Sequence, residues 1–250
     1  MAGVSFVFGW RGSPDFYTLS SLYTIVRQEL VCDVDYEIII VDYGTKFSFK
    51  AELESKILTD KLRVIYTHEQ GRYNDAKAKN VGIRKAKFDV VCCCSDPSLL
   101  FAPNFLDEVG KLDLSQSVAM CRSIYPSKEA ISKLYPSYTD VYASLFDVFR
   151  GSELVKDDVG HIVIIIREEL VKLRGYDEEF FGIGTLESDL YRRAKIKRKL
   201  ATIWLNDRTV VGKMERPNPQ EVKHKTNGKA DRIAYHHEVN PSAGGEVRVE

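Results

Sequence analysis

The sequence predicts an α/β fold, a mostly parallel sheet with helices on both faces. Three observations carry that expectation. Apolar, strand-like runs alternate with helical ones through the first hundred residues. The strand-like runs are apolar throughout instead of alternating with polar residues, as strands buried on both faces are. Two of them, "YEIIIVDYG" and "FDVVCCCSDPSLL", deliver a carboxylate at their ends, Asp42 and Asp96.

The elements follow in order. "VSFVFGW" (Val4 to Trp10) is a short buried strand. "SPDFYTLSSLYTIVRQEL" opens with a helix start signal at Ser13-Pro14 and carries Phe16, Leu19, Leu22, Ile25, Val26 and Leu30 at helical spacing. "YEIIIVDYG" is the second strand, Phe49 to Leu58 a second helix, and "LRVIYTH" a third strand. "NDAKAKNVGIRKAK" is a helix with Asn74 as its N-cap, and "FDVVCCCSD" is the fourth strand. Beyond Pro103, "NFLDEVGKL" and "SYTDVYASLFDVF" are expected to be helical and "SVAMCRSIY" a strand. "HIVIIIREELVKLRGYDEEFFGIGTLESDLYRRAKIK" gives a strand and two helices separated by a loop, and "LATIWLN" and "RTVVGKM" are expected to pair. Residues 1–216 are expected to form a single domain, with a nucleotide-binding half over about 1–102 and an acceptor and catalytic half over about 103–216. From Pro217 to the end, Pro, Gly and Asn mark a polar tail.

Composition narrows the function classes. The 36 basic residues balance the 36 acidic ones, so no nucleic-acid partner is expected. No apolar stretch has the length of a membrane span, and the N-terminus lacks the charged and apolar regions of a signal peptide. Five cysteines (Cys32, Cys92, Cys93, Cys94 and Cys121) fit neither a disulfide framework nor a zinc pattern. They point to reduced, buried thiols and a cytoplasmic location.

In an open parallel sheet, ligands sit beyond the carboxyl ends of the strands. Asp42 and Asp96 are placed there, to accept hydrogen bonds from a nucleoside or hold a divalent cation on a diphosphate. Each could equally cap its own turn. Ala76, Lys79, Ile83 and Ala86 share one helical stripe, so Lys79 points along a partly buried face and needs an anion there, or snorkels out of it. In "GTLESD", Glu187 and Asp189 begin a helix whose dipole favours ionised carboxylates, either as simple first-turn acids or as a base.

The ordered set "VSFVFGWRG", "YEIIIVDYG", "NDAKAKNVGIRKA", "SDPSLLFAPNF" and "GYDEEFFGIGTLESDLYRR" resembles the inverting glycosyltransferases of the Rossmann-like GT-A fold, over roughly residues 3 to 220. It is most similar to family-2-like enzymes whose C-terminal half is similar to that of β-1,4-galactosyltransferases. The resemblance implies a UDP-sugar donor, a glycan or other hydroxyl acceptor, and a Mn²⁺ or Mg²⁺ cofactor. It implies Arg11 in donor binding, Asp42 on the base, Lys79 by the diphosphate, and Gly160 and His161 lining the sugar site. It also implies Glu187 as catalytic base, with Asp189 as a supporting acid.

Asp96 matches the first acid of the family's Asp-x-Asp metal motif, where Ser98 replaces the second, and the usual metal histidine is not evident near "VVGKMERPNP". Asp96 and Ser98 together supply one formal charge, so Arg11, Lys79, Lys213 or Arg216 could neutralise the leaving group instead. The rival expectations are a degenerate relative that binds a nucleotide sugar or glycan without turnover, and a sugar-nucleotide pyrophosphorylase. The Gly-rich basic loop that opens the latter is poorly matched by "FGWRGSP".

Overall fold

A computed structural model describes residues 3–30, 33–45, 49–69, 71, 73–95, 97–125, 153–155, 161–180, 186–205 and 211–213. The expected helix "SYTDVYASLFDVF" and the tail lie outside them. Four parallel strands come first: β1 (Val4–Trp10), β2 (Tyr36–Tyr43), β3 (Leu62–Thr67) and β4 (Val90–Cys94). The helices α1 (Phe16–Val26), α2 (Phe49–Lys56) and α3 (Asp75–Lys85) connect them. Then come β5 (Leu99–Phe101), α4 (Phe105–Gly110), β6 (Ser117–Met120), β7 (Ser123–Tyr125), β8 (Glu153–Val155) and β9 (Ile162–Ile166). The described chain closes with α5 (Arg167–Lys172), α6 (Leu186–Arg198), β10 (Ala201–Trp204) and β11 (Val211–Lys213).

Seven strands form the main sheet, in the order β10-β6-β9-β4-β1-β2-β3. Among the described strands of this sheet, only β9 runs against its neighbours, β4 and β6. Each buried strand feeds both faces by its two-residue repeat. Phe6, Phe8, Ile38, Ile40, Cys92 and Cys94 pack on the α1 side with Leu22, Phe101 and Phe105. Val7, Ile39, Val41, Val91 and Cys93 pack on the other side with Ala76, Ile83 and Leu190 of α3 and α6. The triple cysteine is thus core filling, its thiols divided between two faces, and Cys92, Cys93, Cys94 and Cys121 are buried thiols outside any disulfide. Among the described residues, no helix is long and apolar enough to cross a membrane.

Three local expectations are corrected. The first helix starts after Asp15, not at Ser13-Pro14, because the Asp15 carboxylate accepts from the Thr18 amide at 2.8 Å and so supplies the cap. "SVAMCRSIY" is two strands in two sheets, broken at Cys121-Arg122. The strands of "LATIWLN" and "RTVVGKM" do not pair. β10 joins β6 in the main sheet, whereas β11 lies between β5 and β7 in a second sheet of order β5-β11-β7-β8.

Candidate active site

The carboxyl ends of β1 and β2 and the first turns of α3 and α6 bring the functional side chains together. Asn74 caps α3, its Oδ1 accepting from the Lys77 amide at 2.9 Å. That fixes Asp75 in the first turn and Lys79 one turn later on the buried stripe. Lys79 is 0% exposed. Its ammonium lies 2.6 Å from Asp75 Oδ2 and 2.6 Å from Glu187 Oε1, and it faces the Tyr176 ring. The sequence places Lys79 on a face that needs an anion, and the anions are two carboxylates of the chain itself.

The rest of the cluster is held by hydrogen bonds. Tyr73 donates to Asp75 Oδ1 at 2.8 Å, and Tyr176 donates to Glu187 Oε1 at 3.2 Å. Gly9 on β1 makes room for this, because a Cβ there would collide with Asp75 Oδ1 and crowd the Tyr73 hydroxyl. Tyr176 is positioned by the turn that ends α5. The Gly175 amide donates to the Leu170 carbonyl and the Arg174 amide to the Val171 carbonyl, with Arg174 and Gly175 both at positive φ. This Schellman arrangement reverses the chain within two residues. Asn80 then clamps the Tyr176 backbone, accepting from its amide at 2.8 Å and donating to its carbonyl at 2.9 Å. Arg193 braces the same turn by donating to the Leu173 and Gly175 carbonyls.

Electrostatics in the cluster follow from one cation facing two acids. Burial pushes the Asp75 carboxyl up to about 6; Lys79 opposes that rise and Glu187 adds to it. Burial alone would lower the Lys79 pKa, but Asp75 and Glu187 outweigh it and hold the ammonium above its ordinary range. Burial pushes the Cys93 thiol up to about 12 and the Tyr176 phenol well above its usual value, so both stay neutral.

The other expected site residues fall around this cluster. Asp42 is buried at the end of β2, and its Oδ1 accepts from the Thr45 amide at 3.0 Å, so one oxygen caps the turn. Arg11 is exposed just past β1, with Nη1 donating to the Gly71 carbonyl at 2.7 Å. Asp189 is buried and accepts from Arg193 Nε at 2.7 Å, which ties it to the brace under Tyr176. His161 directly precedes β9 beside the end of β4, with Nδ1 3.3 Å from Ser95 Oγ and Nε2 3.0 Å from the Tyr125 hydroxyl. Ser98 is buried. Asp96, Gly160 and Arg216 lie outside the described residues, as does the side chain of Lys213.

Among the described residues, no group of three or more His, Cys, Asp or Glu side chains is arranged to hold a metal ion. Of the expected metal pair, only the neutral Ser98 hydroxyl is described, and alone it does not make a cation site. Asp75, Tyr176 and Tyr73 are functional candidates that sequence reasoning missed. Asp75 had a signal, its four-residue spacing from Lys79; Tyr176 had none in its local sequence.

The mostly parallel, mixed seven-stranded sheet with its helices matches solved structures of the GT-A fold over most of the chain. A Drosophila β-1,4-galactosyltransferase 7 mutant in complex with manganese, UDP-Gal and xylobiose matches with a TM-score of 0.54 and 13% identity, over 92% of this chain and 78% of that one. A mannosyltransferase from Pyrobaculum calidifontis in complex with GDP-Man and Mn²⁺ matches with a TM-score of 0.56 and 16% identity. That match covers 99% of this chain, which spans 64% of the mannosyltransferase. Glucosyl-3-phosphoglycerate synthase from Mycobacterium tuberculosis, in complex with Mn²⁺, UDP and phosphoglyceric acid, matches with a TM-score of 0.52 and 15% identity, over 100% of this chain and 80% of that one. No curated protein sequence matches. Residues 21–203 match the profile of glycosyltransferase like family 2, and the chain belongs to that family.

Proposed function

We propose that the chain transfers a hexose from a nucleotide sugar, UDP-linked, to an acceptor hydroxyl with inversion, and that Glu187 is the general base. The observation that carries this reading is the placement of Glu187: a buried carboxylate in the first turn of α6, oriented through Oε1 by Lys79 and Tyr176. Inverting transfer needs a base for the acceptor proton, an in-line hydroxyl and stabilisation of the departing diphosphate. Glu187 takes the proton through Oε2 as the acceptor oxygen bonds to the anomeric carbon. The carbon–oxygen bond to the diphosphate breaks at the same time, and its electron pair leaves with the diphosphate. Arg11, exposed at the mouth of the sheet, is assigned to the diphosphate, Asp42 to the uracil, and Gly160 and His161 to the sugar.

Lys79 is assigned to Glu187 instead of the diphosphate, because its ammonium is already engaged by two carboxylates. Asp189, bonded to Arg193, is assigned to holding the Tyr176 turn. A divalent cation, present in the relatives described above, would rest here on Asp96 and the Ser98 hydroxyl and would add positive charge at the diphosphate.

The product's anomeric configuration by NMR tests the mechanism: it should be opposite to the donor's, and retention would overturn the reading. Calorimetry with UDP tests the site, since Asp42→Ala should weaken binding and an unchanged affinity would remove Asp42 from it. Activity that survives EDTA would move the leaving-group role wholly to Arg11. A second reading, a binding protein without turnover, is favoured by Ser98 in place of an acid, and UDP binding with no sugar release under any of these conditions would support it.

A further inference from the structure

The charge count of the buried cluster points to a role for Asp75. One ammonium, Lys79, serves two carboxylates at equal distances of 2.6 Å, and the Lys79 side chain is 0% exposed. The groups facing Asp75 are Tyr73 from the preceding loop, Lys79 from its own helix and Glu187 from α6. Tyr176 and Cys93 stand beside Lys79 and Glu187 from the α5 turn and β4. With both carboxylates ionised, the cluster carries one surplus negative charge around a fully buried ammonium, and only the Asp75 side chain, 14% exposed, reaches toward solvent. A low local dielectric makes that surplus costly.

We infer that Asp75 is a positioning residue for Glu187, acting through the Lys79 ammonium that the two carboxylates share. This rests on the assignment of Glu187 as base. When Asp75 is protonated, Lys79 is drawn wholly to Glu187, and its ammonium competes with the acceptor's proton for that carboxylate. When Asp75 is ionised, it shares the ammonium, and less of that ammonium competes for Glu187 Oε1. Its carboxyl, pushed up to about 6 by burial, places that change where turnover would register it. Tyr73 holds the ionised form, because its hydroxyl donates to Asp75 Oδ1.

Two experiments test this, and they separate it from the reading on which it rests. The first needs no activity. Urea unfolding at pH 7.5 of Asp75→Asn, Glu187→Gln and the double variant should show strong coupling, since either carboxylate alone satisfies Lys79 and losing both strands it. The double variant should lose more than the sum of the singles, by about tenfold or more in the unfolding equilibrium. Additive losses would overturn the inference.

The second is the pH–rate profile with the nucleotide sugar that thermal shift selects. Asp75→Asn should lower kcat and flatten its acid limb with little change in KM, whereas Tyr73→Phe should move the limb to higher pH. A merely structural Asp75 would change the melting temperature and leave both profiles superimposed on the parent's, and that result would also overturn the inference. Tyr73→Phe keeps the test decisive if Asp75→Asn does not fold. Strong coupling in a protein whose Glu187→Gln variant turns over normally would sink the base assignment while leaving the shared ammonium standing.

Discussion

Two buried glutamates sit at opposite ends of the same sheet, and their surroundings differ in one respect. Glu37, near the start of β2, accepts from the Ser5 hydroxyl at 2.8 Å and from Arg63 at 2.6 Å, and the Lys87 amide also donates to it. One acid meets one cation there, and two neutral donors complete its shell. Glu187, at the other end, shares one buried ammonium with Asp75. Balanced charge at the amino ends of the strands pins loops together, whereas under the function proposed here the surplus at the carboxyl ends serves the reaction. On that reading, the count of cations per carboxylate, and not burial of the acid, separates the two sites.

That contrast can be broken by substitution. Lys79→Met leaves the buried Glu187 and the partly buried Asp75 without a cation and should cost about 3–5 kcal/mol in urea unfolding. Arg63→Met should cost only about 1–2 kcal/mol, because the Arg63 side chain is 43% exposed and Glu37 keeps its neutral donors. Equal losses at the two ends would remove the distinction.

The pH dependence of stability sharpens it further. Asp75 binds its proton more tightly folded than unfolded, rising from 3.8 to about 6. Its contribution is therefore fully present below about pH 4 and is lost as pH rises through about 6. Relative to the parent, Asp75→Asn should gain stability across that window, by up to about 3 kcal/mol, and the difference should level off above it. A difference that is flat from pH 4 to 7 would mean that Asp75 does not carry the surplus.

How much of this was legible in the sequence depends on how local each cause is. The parallel strands, the Asn74 cap and the burial of Lys79 follow from short-range patterns, and the structure shows all three. Asp75 was visible as the residue one turn before Lys79, but spacing alone cannot tell a surface ion pair from a buried one. Tyr176 was not legible, because Asn80 pins it from 96 residues away and the α5 turn aims it. The second sheet was hidden for the same reason: β11 reaches back to β5 and β7, and nothing within "RTVVGKM" names those partners. Nor does "SVAMCRSIY" contain the Gly or Pro that would mark its break.

The most direct test of the central claim compares the two glutamates under turnover. Glu187→Gln should lose about 10²- to 10⁴-fold in kcat while keeping its affinity for UDP, and Glu37→Gln should leave kcat near the parent's. Near-parental kcat in Glu187→Gln, or an equal loss in Glu37→Gln, would contradict the account.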